Sequence, residues 1–221
     1  MKNMKLQKYL TAASLIIGGL ITIYAFAIHP KEFTDLETMR QTVDASAKSH
    51  LFLYFGVIIL LMGLPGLYAR VCNSTGIVAL LSMPPLFIGT ALLLTHCPLS
   101  FAALPAIVNA APEKAIAIVE AASETPYGIL EPIGTPLMIL GLLLFLIGTW
   151  RQKETAKYPR YLLLASLICI PLALAKIPFV GRGFTFGVFV AFVAYGVEIL
   201  RPRGEAKESG TANLTAAVTA S

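Results

Sequence analysis

The chain has 221 residues, of which 57% are hydrophobic and 13% are charged. A soluble globular domain is typically about 25% charged, so this composition excludes an ordinary water-soluble domain and indicates a single domain in a lipid bilayer. The net charge is +5, but the basic residues lie mainly in short segments between apolar runs, without interleaved aromatic residues, so nucleic acid is excluded as the expected partner.

Six apolar runs predict an all-α membrane protein, a six-helix transmembrane bundle within residues 1–203. A spanning helix needs roughly 20 residues, with a range of about 17–25. The predicted spans are residues 10–28, 51–69, 77–95, 133–150, 161–180 and 184–200. The fifth reaches full length only if it continues through Lys176 to Val180, with the lysine side chain extending to the interface.

The first run has an alternative interpretation as a cleaved signal peptide. Three lysines precede it, and the residues from Ala25 to Ala27 resemble a cleavage site. Its apolar stretch is 19 residues long, whereas the apolar region of a signal peptide has about 7–15. An uncleaved first span is therefore the favoured interpretation.

Two segments between the spans, and the end of the chain, have their own predicted structure. In Pro30–Ser49 apolar residues recur at helical spacing, which predicts a short amphipathic helix. In Pro112–Glu124 charged residues interrupt the apolar positions, which predicts a helix along the outer surface and not a further span. Residues 204–221 lack aromatic residues and are rich in Ala, Thr and Ser, which predicts a disordered cytoplasmic tail.

The distribution of positive charge predicts the orientation. With the amino terminus inside, the inner segments hold 11 of the 17 basic residues and the outer segments hold 6. Short loops rich in Lys and Arg stay in the cytoplasm. Because the number of predicted spans is even, both termini are expected to be cytoplasmic.

All three histidines lie at span ends on the same side of the membrane, the predicted outer side. His29 ends the first span, His50 begins the second and His96 ends the third, while Glu131 begins the fourth at the same level. Imidazole and carboxylate groups bind zinc, copper and iron, and two histidines on facing helices can hold a haem. The sequence therefore makes His29, His50, His96 and Glu131 candidate metal ligands near the outer boundary.

Two other interpretations of these residues stay open. Polar side chains normally occupy the membrane interface, so the histidines are also explained as ordinary residues at helix ends. Histidine titrates near neutral pH, so a role in proton handling is the third interpretation. None of the histidines is paired with another at i, i+4 spacing on one helix, so the sequence alone identifies no ligand set.

The first third of the chain carries a recognisable pattern. His29-Pro30 closes the first span, His50 opens the second, and residues 63–70 read GLPGLYAR. This arrangement resembles a group of bacterial multi-pass membrane proteins that combine an HP pair, a following histidine and a GLxGLYAR-like stretch. The resemblance implies a bacterial cytoplasmic membrane, the cell inner membrane, and no particular activity, because that group is uncharacterised.

Three classes of function remain open from the sequence. They are transport or handling of a small molecule, a metal- or haem-dependent membrane enzyme or electron carrier, and a structural or accessory membrane subunit. No GxSxG, Walker, HExxH or DxD-like motif selects among them. A polar cavity near the middle of the membrane would favour the first class, and converging histidines would favour the second. A dry core would favour the third class, in which the partner is a second copy of the chain or another membrane protein.

Overall fold

The fold is almost entirely helical in the part of the chain that the computed structural model describes, which is residues 2–30, 35–75, 77–150, 157–174 and 180–201. In chain order the elements are α1 (Lys2–Ile28), α2 (Leu36–Thr75), α3 (Ile77–Leu81), α4 (Met83–Leu94), α5 (His96–Pro98), a π-helical turn (Leu99–Ala103), α6 (Leu104–Ala110), α7 (Pro112–Ser123), α8 (Pro126–Trp150), α9 (Lys157–Leu174) and α10 (Val180–Leu200).

Five helical stretches of these described residues are long and apolar enough to cross a membrane. They are Met4–Ile28, Leu36–Arg70, Ile77–Ala110, Gly128–Trp150 and Gly183–Leu200. Large apolar side chains remain exposed along them, as expected where lipid replaces water. The prediction of an all-α fold is confirmed for the described residues, and five helices of this length and composition fit the prediction of a membrane protein.

The predicted fifth span corresponds to α9, which is not among those five stretches. Its proposed continuation through Lys176 lies outside the described residues, and Val180 begins α10. The predicted tail at 204–221 also lies outside the described residues, so its disorder stays a prediction.

Close backbone contacts hold the helices together. Helix α1 packs between α2 and α10, α4 packs along α8, and α9 packs on α10. Where α1 meets α2, a side chain at Gly18 would lie 2.7 Å from the carbonyl oxygen of Gly56. Only glycine fits this position, as is usual where membrane helices approach closely.

The amphipathic segment before the second span is helical, but it is not a separate short helix. Helix α2 continues from Leu36 through the predicted span without a break. Met39 and Val43 pack against Leu104, Val108 and Ala115 of α6 and α7. Burial of these residues explains why the apolar spacing extends beyond the predicted span.

The third predicted span ends later than expected. The helical path continues past Thr95 to Ala110. Pro105 and Pro112 lie in the first turns of α6 and α7, where the missing backbone N–H costs no hydrogen bond. The predicted helix at Pro112–Glu124 is present as α7, whose 12 residues are too few to span a bilayer.

Candidate functional site: the histidine cavity

A cavity of about 340 Å³ lies where α1, α2, α4, α5, α8 and α10 meet. We call it the histidine cavity because all three histidines of the chain line it. The remaining lining is mostly apolar and consists of Phe26, Leu53, Val57, Thr90, Leu93, Leu94, Thr135, Met138, Phe184, Thr185, Val188 and Phe189. Its volume is within the range of about 300–1,000 Å³ that is usual for small-molecule sites.

The structure brings the three predicted imidazoles together in one row. The ring centres of His29 and His50 are 4.9 Å apart, and those of His50 and His96 are 5.4 Å apart. Both pairs meet edge to face. His50, in the middle of the row, is 9% exposed. We call these three residues the histidine cluster.

Backbone carbonyls fix the protonation pattern of two of these rings. The Nδ1 atom of His29 lies 2.8 Å from the carbonyl oxygen of Pro30, and that of His50 lies 2.8 Å from the carbonyl oxygen of Ser46. A carbonyl oxygen only accepts, so each Nδ1 carries the proton and donates it. In the neutral rings Nε2 then has a free lone pair, which can accept a hydrogen bond or bind a metal.

His96 differs from the other two histidines. Its Nδ1 atom is buried and has no hydrogen-bond partner among the described residues. Its Nε2 atom lies 3.9 Å from the sulfur of Cys97, which is a weak contact. A buried polar atom without a partner is costly unless a ligand or water completes it, and His96 lies on the wall of the cavity.

A local break in the helix places His96. Pro98 has no N–H to donate to the carbonyl of residue 94, which removes one hydrogen bond and favours a kink or break at this point. Helix α4 ends at Leu94, Thr95 forms a turn, and a π-helical turn follows Pro98. Such irregular turns occur often at functional sites, since they change the direction of a side chain without ending the helical path.

Glu131, the fourth candidate ligand, lies in α8 one turn before Thr135 of the cavity wall. Its side chain is outside the part of the chain that the structure describes, so its place in a metal site stays a prediction.

The separation of the rings suits a metal between two histidines better than a haem. Two imidazoles on one tetrahedral zinc, with Zn–N distances of 2.0–2.1 Å, have ring centres roughly 5 Å apart. Both adjacent pairs are near that separation. Among the described residues, however, no three His, Cys, Asp or Glu side chains are arranged to hold a metal ion.

A haem held by an adjacent pair does not fit the structure. The rings of each pair already touch edge to face, which leaves no space for a macrocycle between them. A metal ion bound to all three histidines would first require the rings to turn.

Sequence reasoning identified the histidines but none of the other lining residues. Leu53, Val57, Met138 and Val188 are typical membrane-helix residues, and their sequence gives no sign of a cavity. Comparisons with protein-family models, with curated proteins and with solved structures find no match to this chain.

Proposed function

We propose that the protein binds and handles a small, mainly apolar molecule inside the membrane, in the histidine cavity. The observation that carries this proposal is a mostly apolar cavity wall with three imidazoles at one end. The apolar wall holds the body of the ligand, and the lone pairs on Nε2 of His29 and His50 accept hydrogen bonds from its polar group. The preferred ligand therefore has a hydroxyl or carboxylic acid group attached to an apolar chain.

The proposal includes the position of the cavity in the membrane. The chain crosses a bacterial cytoplasmic membrane six times, with α9 as the fifth span and with both termini in the cytoplasm. Its support is the excess of basic residues in the predicted inner segments, 11 against 6. This orientation puts the histidine cluster at the outer side.

Reporter fusions test this orientation independently of the ligand. Alkaline phosphatase is active only outside the cytoplasm, so a fusion after Ala45 is expected to be active and one after Ser221 inactive. The reverse pattern would contradict the orientation, and activity at both sites would contradict an even number of spans.

Photolabelling tests the ligand class. The probe is hexadecanol that carries a diazirine, and the control probe is the methyl ether of the same alcohol, which has no proton to donate. In nanodiscs the alcohol is expected to label the lining residues of the cavity. Loss of the hydrogen bond lowers affinity by about 0.5–1.5 kcal/mol, or roughly twofold to tenfold, so the ether labels the cavity less.

Two kinds of variant make the labelling experiment specific. Val188→Phe fills the cavity, while Ile147→Phe adds the same ring at a side chain that is 61% exposed on α8. Labelling of the cavity should fall with Val188→Phe and not with Ile147→Phe. His50→Phe keeps a ring and removes one of the two acceptor nitrogens, so it should reduce the difference between alcohol and ether. Equal labelling in all variants would refute the proposal.

A transition metal bound by the histidine cluster is the second candidate function. Histidines that bind metals usually donate their other N–H to a carbonyl or carboxylate, and His29 and His50 both do so here. Imidazole suits zinc and copper, and Glu131 remains the predicted carboxylate of the set.

Metal analysis distinguishes the two candidates. After dialysis against zinc or copper, the second candidate requires bound metal that is lost in His50→Phe and kept in Val188→Phe. An absorbance spectrum of the purified protein tests the haem alternative in the same sample. Metal retained by His50→Phe would remove the cluster as the metal site.

A further inference from the structure

The phenylalanine rings that line the histidine cavity all come from two neighbouring helices. They are Phe26 on α1 and Phe184 and Phe189 on α10. The apolar lining from α2, α4 and α8 consists of leucine, valine and methionine side chains. A ligand in the cavity therefore meets an aromatic wall on the side of α1 and α10 and an aliphatic wall on the other sides.

The packing of α1 against α10 sets the depth of the aromatic wall. The two helices are antiparallel, and the ring centres of Phe26 and Phe186 are 6.2 Å apart. Glycine contacts farther along the pair keep the same register. Phe184 precedes Phe186 by two residues, so it is opposite residue 28 of α1, next to His29. The aromatic wall thus begins at the depth of the histidine cluster.

Phe184 differs from the other rings of this wall in its packing. Phe26 lies against Phe189, with ring centres 6.0 Å apart and ring planes at 25°, and it also contacts Phe186. Phe184 is only partly buried, and among the described residues no other ring packs against it. Because its side chain lines the cavity, its ring is available to a ligand.

The common depth of Phe184 and the imidazoles restricts where the ligand can carry a ring. Aromatic pairs in offset-stacked or edge-to-face contact are more stable than their buried area alone would make them. A ring that bears the hydroxyl directly reaches Phe184 and an imidazole at the same time. A ring farther along an alkyl chain would lie deeper, at the level of Val57 and Val188, where the wall is aliphatic.

We propose that the ligand of the histidine cavity is a phenol with an apolar chain. Its hydroxyl donates a hydrogen bond to the histidine cluster, its ring packs against Phe184, and its chain extends along the aliphatic wall. This inference rests on the proposed function, and it names the chemical class of the ligand for the same site.

Photolabelling of the full chain in nanodiscs tests the ligand class. The two probes are octylphenol and octylcyclohexanol, both substituted opposite the hydroxyl and both with a diazirine in the octyl chain. They share the hydroxyl and the chain, and only the phenol is aromatic. At equal concentration in the bilayer the phenol is expected to label the cavity lining roughly twofold to tenfold more, which corresponds to the contribution of one aromatic pair.

Substitutions of Phe184 separate ring packing from the greater acidity of a phenol. Phe184→Leu keeps an apolar side chain and removes the ring, so the preference for the phenol should fall by the same roughly twofold to tenfold. Labelling by the cyclohexanol should persist in this variant, which shows that it is folded. Phe184→Tyr restores a ring and should restore the preference.

A matched variant controls for the loss of a ring elsewhere. Phe55→Leu makes the same change on α2, at a side chain that is 52% exposed and outside the cavity lining. It should leave the preference for the phenol unchanged. A preference that falls equally in Phe55→Leu and Phe184→Leu would overturn the assignment of Phe184.

The outcomes distinguish this inference from the proposed function. Equal labelling by the two probes would overturn the phenol and leave the proposed function standing, because an apolar alcohol would still bind. A preference that persists in Phe184→Leu would also overturn the inference, since ring packing on Phe184 would not be its cause. If neither probe labels the cavity, the proposed function itself is contradicted, and the phenol with it.

Discussion

The substitution Gly141→Ala tests whether the contact between α4 and α8 depends on the absence of a side chain. Gly134, Gly141 and Gly148 follow one another at seven-residue intervals on α8, so they lie along one face of that helix. A Cβ atom at Gly141 would lie 2.6 Å from the Cα atom of Leu86 on the facing helix. Ordinary contacts of this kind are 3.4–4 Å long.

The expected loss of stability follows from this distance. The neighbouring atom belongs to the backbone, so α4 and α8 must separate by nearly an ångström. Such overpacking costs about 1–3 kcal/mol. Alanine is the better helix former by about 0.8–1.0 kcal/mol, which offsets part of the cost. The two terms together predict that Gly141→Ala lowers the free energy of unfolding by up to about 2 kcal/mol.

A second glycine provides the control. A Cβ atom at Gly183 would lie 3.8 Å from the sulfur of Cys169, which is an ordinary contact. Unfolding in mixed micelles with increasing dodecyl sulfate measures both variants under the same conditions. Gly183→Ala should be at least as stable as the unsubstituted chain. If Gly141→Ala is as stable as Gly183→Ala, the close approach of α4 and α8 is not the contact that holds this helix pair.

Three further substitutions test individual hydrogen bonds by the same unfolding assay. Ser49→Ala removes the bond from the buried Ser49 hydroxyl to a carbonyl oxygen of α1, at 2.9 Å, and should cost about 0.6 kcal/mol, the average for such bonds between membrane helices. Tyr68→Phe removes the buried bond of 2.6 Å between Tyr68 and Ser82 and should cost about 0.5–1.5 kcal/mol, whereas no loss would show that the bond is replaced. Arg160→Met removes a charged donor that bonds two carbonyl oxygens at the end of α8, both at 2.7 Å; we expect a loss above 1.5 kcal/mol, and a smaller loss would contradict its anchoring role.

The sequence predicted the helices well because apolar runs determine where a chain can cross a membrane. It predicted their boundaries less well. The second helix begins at Leu36 because Met39 and Val43 are buried against α6 and α7, and this packing depends on residues about 60 positions later in the chain. The third continues past Thr95 because prolines at the first turn of a helix do not end it.

The sequence predicts the depth of the three histidines in the membrane but not the arrangement of their rings. Three span ends with histidines place the rings at one height, and the sequence contains that information. Whether they meet depends on which helices are neighbours and how each is rotated. Those features follow from close contacts such as Gly18 against Gly56, which no periodicity reveals. The direction of His96 depends in addition on the turn that Pro98 causes.

Buried aromatic rings pack between the histidine cavity and the opposite ends of α2, α8 and α10. Tyr68 of α2, Phe145 of α8 and Tyr195 of α10 form a row of rings, with centres 5.3 and 5.6 Å apart. All three are buried, and Leu142 beside them is 0% exposed. They lie beyond the last cavity residues of their helices, so they fill the core between the histidine cavity and the opposite end.

The row of rings therefore separates the histidine cavity from the opposite ends of α2, α8 and α10. Movement of α8 away from α2 and α10 would break this row of rings. For the ligand proposed above, the described state is therefore closed toward the opposite ends of these helices. In that proposal the imidazoles bind the polar group of the ligand at the other end of the cavity, and the rings limit how far its apolar chain extends.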